Sequence, residues 1–239
     1  MGDEKIFRFV LIAGFSVVFP IAFYHRLKSQ ASKEKLNRRE EGLFILLTLR
    51  PIAALGMAGM IAYLINPAWM DWSSVSLPLW LRWSGVGLGV MAAAVLIAAM
   101  RSLGTNLTDT VVTRARHTLV MQGPYRWVRH PFYVATAWAV TANATVTANW
   151  FLGLTGVLTV ALLVIRTKTE ERKLQERFGE EYRDYAKRTG RFFPKIASLT
   201  TTPHRGDTEY ELGRSKTGAS RSTRDQGARR DGSFPRRSA

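Results

Sequence analysis

No cysteine occurs anywhere in the 239 residues, which excludes disulfides, thiolate metal sites and a cysteine nucleophile. Acidic residues are scarce as well: 18 Asp and Glu stand against 34 Lys and Arg, a formal net charge of +16. In a soluble chain that excess would suggest nucleic acid or an anionic surface as the partner. The order of the residues argues otherwise. Long apolar runs fill most of residues 6–165, while the last 40 residues are almost wholly polar. The mean hydropathy of −0.05 therefore averages two unlike populations and hides a membrane protein.

Five apolar stretches stand out, at residues 6–24, 43–65, 79–100, 132–148 and 150–165. Each is close to the roughly 20 residues that carry a helix across a bilayer core. The last two are nearly continuous and predict a tight helical hairpin turning within residues 143–150. The first is no secretory signal, because Asp3 and Glu4 precede it, no small-residue cleavage site closes it, and further spans follow. The fold class is therefore all-α and polytopic, with five transmembrane helices and a cytoplasmic amphipathic helix behind them.

Lys and Arg set the orientation, since short loops rich in them stay on the cytoplasmic side. The loop at residues 25–41 holds Arg26, Lys28, Lys33, Lys35, Arg38 and Arg39, whereas residues 66–78 hold none. Residues 101–130 are basic again, the hairpin turn is not, and everything after Arg166 is. Five crossings with the amino terminus outside and the carboxyl terminus inside satisfy every loop. Arg8, Arg50 and Arg82 fall within or beside spans, close enough to an end for a long side chain to snorkel. The pairs Gly85/Gly89 and Ala54/Ala58 have the small-residue spacing of close helix packing.

Beyond Arg166, Leu174, Phe178, Tyr182 and Tyr185 recur with the period of an amphipathic helix, and Gly179 is placed to end one helix before another begins at Glu180. From about residue 200 the chain is rich in Arg, Ser, Thr and Gly and cannot bury enough surface to order itself. Its expected role is attraction to anionic membrane lipids. The organisation is thus three helices in residues 1–100, a core in residues 101–198, and a disordered basic tail in residues 199–239.

The residues that carry chemistry lie between the third and fourth stretches. They run His117-Thr118-Leu119-Val120, then Gly123-Pro124-Tyr125, then Arg129-His130-Pro131-Phe132-Tyr133. Gly-Pro favours a turn that brings Tyr125 back to the membrane surface, and Pro131 suits the first turn of the helix that His130 precedes. The result is a helix amino terminus with open N–H groups, an imidazole and two tyrosines, able to hold a carboxylate or phosphate. Helix capping at a membrane interface is the plainer alternative. Arg166 and Glu170, four apart, share a helix face at the end of the fifth span, which the hairpin returns beside His130. No cluster of metal-ligating residues is expected.

These motifs, taken in order across residues 103–194 with Phe178-Gly179-Glu180-Glu181-Tyr182 behind them, resemble the isoprenylcysteine carboxyl methyltransferase family of membrane-embedded enzymes that use S-adenosylmethionine. The resemblance implies that His117, Thr118, Leu119, Val120, Tyr125, His130, Pro131, Phe132 and Tyr133 line the S-adenosylmethionine pocket. It implies equally that Arg166 and Glu170 are the catalytic pair facing a lipophilic methyl acceptor. Five spans are similar to the shorter prokaryotic members, and the matched motifs mostly serve the cofactor.

Acceptor chemistry stays open at this level. A carboxylate needs no proton removed, with Arg166 as its anchor, whereas an amine, as in phospholipid methylation, needs Glu170 as a base. The spacing of Arg166 and Glu170 resembles the carboxyl branch. A membrane reductase using NADPH is a second enzymatic reading. A basic membrane anchor that binds nucleic acid is disfavoured, since Tyr210 and Phe234 are the sole aromatic residues after position 199 and stacking would be poor.

Overall fold

A computed structural model of the chain describes residues 2–30, 43–103 and 119–195. The expectations for His117, Thr118 and the basic tail lie outside these residues. Five α-helices follow in order: α1 (Gly2–Gln30), α2 (Leu43–Ile65), α3 (Leu79–Leu103), α4 (Pro131–Thr147) and α5 (Trp150–Arg188). Two 3-10 turns, Pro67–Ser73 and Gly123–Arg126, punctuate the connections. No strand occurs among the described residues, where extended pairing is confined to isolated bridges between Ser74 and Asn149 and between Val128 and Gly190.

Among the described residues, four helical segments are long and apolar enough to cross a membrane: Gly2–His25, Leu47–Ile65, Leu79–Leu103 and Trp150–Arg188. The chain is a multi-pass membrane protein. The expected fourth span, α4, has 17 residues and reaches only about 25 Å at 1.5 Å per residue, less than a typical hydrocarbon core of about 30 Å. It packs along both α3 and α5, while α2 packs on α5 and α1 leans on α3. Many apolar side chains on the outside of the bundle are exposed, among them Phe9, Phe19, Leu55, Ile61, Val90 and Val157, as helices surrounded by lipid tails require.

Small residues let these helices approach. A Cβ on Gly85 would lie 3.0 Å from the Thr145 side chain and 3.3 Å from the Ala142 carbonyl, and one on Gly156 would lie 2.3 Å from Val140. The Gly85/Gly89 spacing thus marks the α3–α4 contact as expected. Ala54 and Ala58 do not mark one, for both face outward. Gly56 and Gly59 take that place in α2, each with a Cβ position 3.0 Å from a side chain of α5.

The α4–α5 turn forms where the sequence puts it. Ala148 adopts the left-handed conformation at φ 48°, and the Asn149 side chain caps α5 by accepting from Leu152 N at 3.1 Å. Asn149 Nδ2 also donates to Ser73 Oγ at 2.8 Å and to the Met70 carbonyl at 3.2 Å, fastening the turn to the α2–α3 connection.

Two of the three span arginines depart from the snorkelling expectation. Arg82 is buried, donates from Nε and Nη2 to the Val146 carbonyl at 3.0 and 2.8 Å, pairs with Glu4, and sits 4.1 Å over the Phe7 ring. Arg8 donates to the Leu64 and Ile65 carbonyls, both at 2.7 Å, and so closes the end of α2. A charge near the membrane finds backbone carbonyls closer at hand than a head group. Arg50 is exposed.

At the other end, α5 continues past Arg166 without a break as far as Phe178, so the span and the first part of the amphipathic helix are one element. Gly179 interrupts it at φ 53°, ψ −123°, a conformation that favours glycine. The chain beyond that bend, with the segment after Thr189, is joined by hydrogen bonds to the start of α4.

Candidate active site at the amino-terminal end of α4

The turn before α4 is built by close approach. Gly123 has φ 59°, and a Cβ there would lie 2.2 Å from Ser102 Oγ at the end of α3. The following Tyr125 is buried, and its carbonyl accepts from Tyr185 Oη at 2.6 Å. Burial, reinforced by Tyr185 and Glu170, pushes the Tyr125 phenol up from its ordinary range. Pro131 takes the first turn of α4 as expected and is fully buried.

His130 precedes it with 8 % of its surface exposed. Its ring lies flat against Tyr133, centroids 5.4 Å apart and planes within 6°, and the Phe192 ring is 5.9 Å away. The two imidazole nitrogens face two carboxylates: Nδ1 is 3.6 Å from Glu170 Oε2, and Nε2 is 3.3 Å from Glu171 Oε1. Tyr133 Oη donates to Glu170 Oε1 at 2.6 Å, and Arg166 Nε lies 3.1 Å from the same oxygen. His130, Tyr133 and Arg166 therefore all meet at Glu170, with Arg166 only 9 % exposed.

Glu171 forms the second half. Its carboxylate accepts from Arg129 Nε and Arg191 Nε, each at 3.0 Å, and is also bound by Arg191 Nη2. It lies beyond the apolar part of α5. Burial alone would raise this carboxyl, but hydrogen bonds from His130, Arg191 and Arg129 outweigh that effect and hold it well below the usual carboxylate range. Arg129 further donates to the Ala186 and Thr189 carbonyls at 3.0 and 2.6 Å, satisfying the end of α5.

The two N–H groups ahead of α4 are paired: Arg129 N donates to the Gly190 carbonyl at 2.8 Å and His130 N to the Arg191 carbonyl at 3.1 Å. The returning segment after α5 takes them because backbone donors at a crowded, half-buried place seldom stay unpaired. Positive charge at the site comes from side chains. Arg129, Arg166 and Arg191 against Glu170 and Glu171 leave a surplus that a ligand carboxylate would balance.

Leu119 and Val120 are half-buried in irregular chain leading to this place, and Phe132 is half-buried at the first turn of α4 with its ring 6.3 Å from that of Tyr133. Sequence reasoning assigned no role to Arg129, Glu171 or Arg191. A signal existed for the first two, an Arg beside His130 and a Glu doublet on α5, but nothing local distinguishes Arg191 from other basic residues. No group of His, Asp and Glu fit to hold a metal occurs among the described residues.

A bundle of long apolar helices that gathers arginines, carboxylates and aromatic rings at one place defines a class, that of multi-pass membrane proteins with a polar cluster at one end of the bundle. The model of the isoprenylcysteine carboxyl methyltransferase (ICMT) family matches residues 85–176, which contain Tyr125, His130, Tyr133, Arg166 and Glu170. Through this segment the chain is similar to the ICMT family. It is 37 % identical over 105 residues to the protein-S-isoprenylcysteine O-methyltransferase of Mus musculus, covering 43 % of this chain and 37 % of that one. It is 38 % identical over 84 residues to a methanethiol S-methyltransferase of Mycobacterium tuberculosis, covering 34 % of this chain and 30 % of that one. The chain thus spans well under half the length of the curated relatives it matches. A solved structure of the eukaryotic intramembrane Ras methyltransferase aligns with a TM-score of 0.46 and 20 % identity, over 78 % of this chain and 67 % of that one. So distant a likeness carries no argument about the site.

Proposed function

We propose that the chain is an integral membrane methyltransferase that moves a methyl group from S-adenosylmethionine to a lipophilic carboxylate drawn from the bilayer. The observation that carries this reading is the meeting of His130 and Tyr133 from α4 with Arg166 and Glu170 from α5, in a chain whose apolar helices place them at a membrane surface. In this reading α4 is a fifth crossing, shortened and shielded by α3 and α5. In this reading the site faces the cytoplasm, because the sequence on either side of it is rich in Lys and Arg.

The described residues fit the methyl donor's chemistry. The half-buried rings of Phe132 and Tyr133 can pack on its adenosine, and aromatic faces attract a sulfonium cation. The surplus of guanidinium groups suits its carboxylate. Leu119, Val120, Tyr125, His130 and Pro131 complete this side, with His117 and Thr118 outside the described residues. When bound, the sulfonium supplies an electrophilic methyl group.

This chain's own residues then align and exclude water. Arg166 anchors the acceptor carboxylate by paired hydrogen bonds. Glu170, held by Tyr133 Oη, orients that guanidinium. Its bound oxygen is already committed to a phenol and a guanidinium, which suits an orienting role better than removal of a proton from an amine. A carboxylate acceptor brings no such proton. Catalysis then rests on alignment in a poorly hydrated cleft, a contribution that can reach roughly 7–11 kcal/mol.

The test is to incubate membranes holding the full chain with a methyl-labelled donor and to treat the product with mild alkali. Release of the label as methanol supports a methyl ester. A base-stable product moves the reading to an amine or thiol acceptor. Purified protein that binds NADPH and not S-adenosylhomocysteine would replace the methyltransferase reading by the reductase one.

A further inference from the structure

Glu171 takes no part in the proposed transfer, yet it meets three charged or polar partners at the site. Its side chain is 14 % exposed and carries two arginines and one imidazole nitrogen. These partners come from separate stretches: Arg129 and His130 stand before α4, and Arg191 stands beyond the end of α5. The segment that bears Arg191 is held closely. Gly190 N donates to the Trp127 carbonyl at 3.3 Å, its carbonyl accepts from Arg129 N, and a Cβ at this position would lie 1.6 Å from the Phe193 carbonyl. Phe192 leans toward the His130 ring, and Lys195 Nζ donates to the Ala186 and Lys187 carbonyls at 3.1 and 2.8 Å. Residues 189–195 therefore lie as a strap against the His130 side of the cluster, and Glu171 bonds at once to the strap and to the imidazole beside it.

The geometry points to Glu171 as a positioning residue: it sets the His130 ring and latches the strap, and so governs how tightly the methyl donor is held rather than how fast the methyl group moves. This rests on the methyltransferase reading. The division follows from which partners each carboxylate serves. Glu170 bonds to Arg166, the acceptor's anchor, whereas Glu171 bonds to groups on the cofactor side. Loss of its charge would leave Arg129 and Arg191 facing each other without a counterion, and the strap would loosen at its one end while α5 and Arg166 stay in place.

The experiment uses the full chain in lipid nanodiscs, as Glu171→Gln, Arg191→Ala and, for control, Glu176→Gln, whose carboxylate makes an exposed pair with Arg172. Three quantities are read: S-adenosylhomocysteine affinity, kcat and KM for the methyl donor, and the rate of tryptic cleavage within residues 188–195, mapped by mass spectrometry. For Glu171→Gln and Arg191→Ala, S-adenosylhomocysteine affinity and donor KM should worsen at least fivefold while kcat stays within threefold of the parent, and cleavage after Arg188 should quicken by a similar factor. Glu176→Gln should match the parent. Arg191 is exposed enough that its replacement carries the test if Glu171→Gln does not fold. Parent-like KM and cleavage in both variants, or a fall in kcat with KM unchanged, would overturn the proposal. If the parent itself binds no S-adenosylhomocysteine, the methyltransferase reading fails, and unchanged cleavage would still sink the latch on its own.

Discussion

Tyr133→Phe removes one oxygen and leaves the ring that stacks on His130 in place. That oxygen donates to Glu170 Oε1 at 2.6 Å, and Arg166 Nε approaches the same acceptor at 3.1 Å. A hydrogen bond to a charged group contributes about 1.5–3 kcal/mol, and each 1.36 kcal/mol is tenfold in rate. Complete loss of that contribution from the transfer step would slow it by about 10- to 150-fold. Arg166 still restrains Glu170 in the variant, so the lower part of the range, about 10- to 30-fold, is expected. Substrate-saturated turnover with a methyl-labelled donor measures it, and a thermal scan separates it from loss of fold. The same replacement in a Glu170→Gln background should cost no more than about a further threefold, since its partner has already lost its charge. An equal factor in both backgrounds, or a Tyr133→Phe protein as active as its parent, would refute the idea that this phenol acts through Glu170.

Two further expectations concern the bundle. Arg82→Leu leaves the Val146 carbonyl without its guanidinium and breaks the pair with Glu4. Because Glu4 remains half exposed, the cost should be about 3 kcal/mol, the low end for breaking a buried pair, or roughly 6–12 °C in melting temperature for a chain of this size. Snorkelling of Arg82 to lipid would instead leave melting unchanged. Gly156→Ala drives a methyl group to 2.3 Å from Val140 Cγ1, an overpacking cost of about 1–3 kcal/mol. Adding Val140→Ala should recover most of it, and a single variant that melts like the parent would show that α4 and α5 stand further apart than this contact requires.

Much of the fold was legible because its signals are local. Apolar runs marked α1, α2, α3 and the first part of α5, and the turn at Ala148 and Asn149 lies where the apolar pattern pauses. Gly179 bends α5 as the period-breaking glycine suggested. The apolar run at residues 132–148 already had the length of α4, whereas the small residues that pack α2 on α5 proved to be Gly56 and Gly59 rather than their alanine neighbours. At the site, the pairing of Arg166 with Glu170 follows from helix spacing, and His130 and Tyr133 meet it through the hairpin. The tie between Arg82 and Glu4 in the first turn of α1 was invisible, since 78 residues separate the partners.

The sequence by itself determined a cysteine-free, basic, helical chain built for the membrane, with its reactive residue types gathered at one end. Hydropathy, helical period and turn chemistry act over a few residues, and a reader of the chain can add them up. Only the tertiary structure decided that Arg82 turns inward, that the amides before α4 are taken by the segment after α5, and that Glu171 joins Arg129, His130 and Arg191. Those outcomes depend on which buried donor finds which acceptor after the helices have packed, and partners 20 to 78 residues apart carry no local mark of each other.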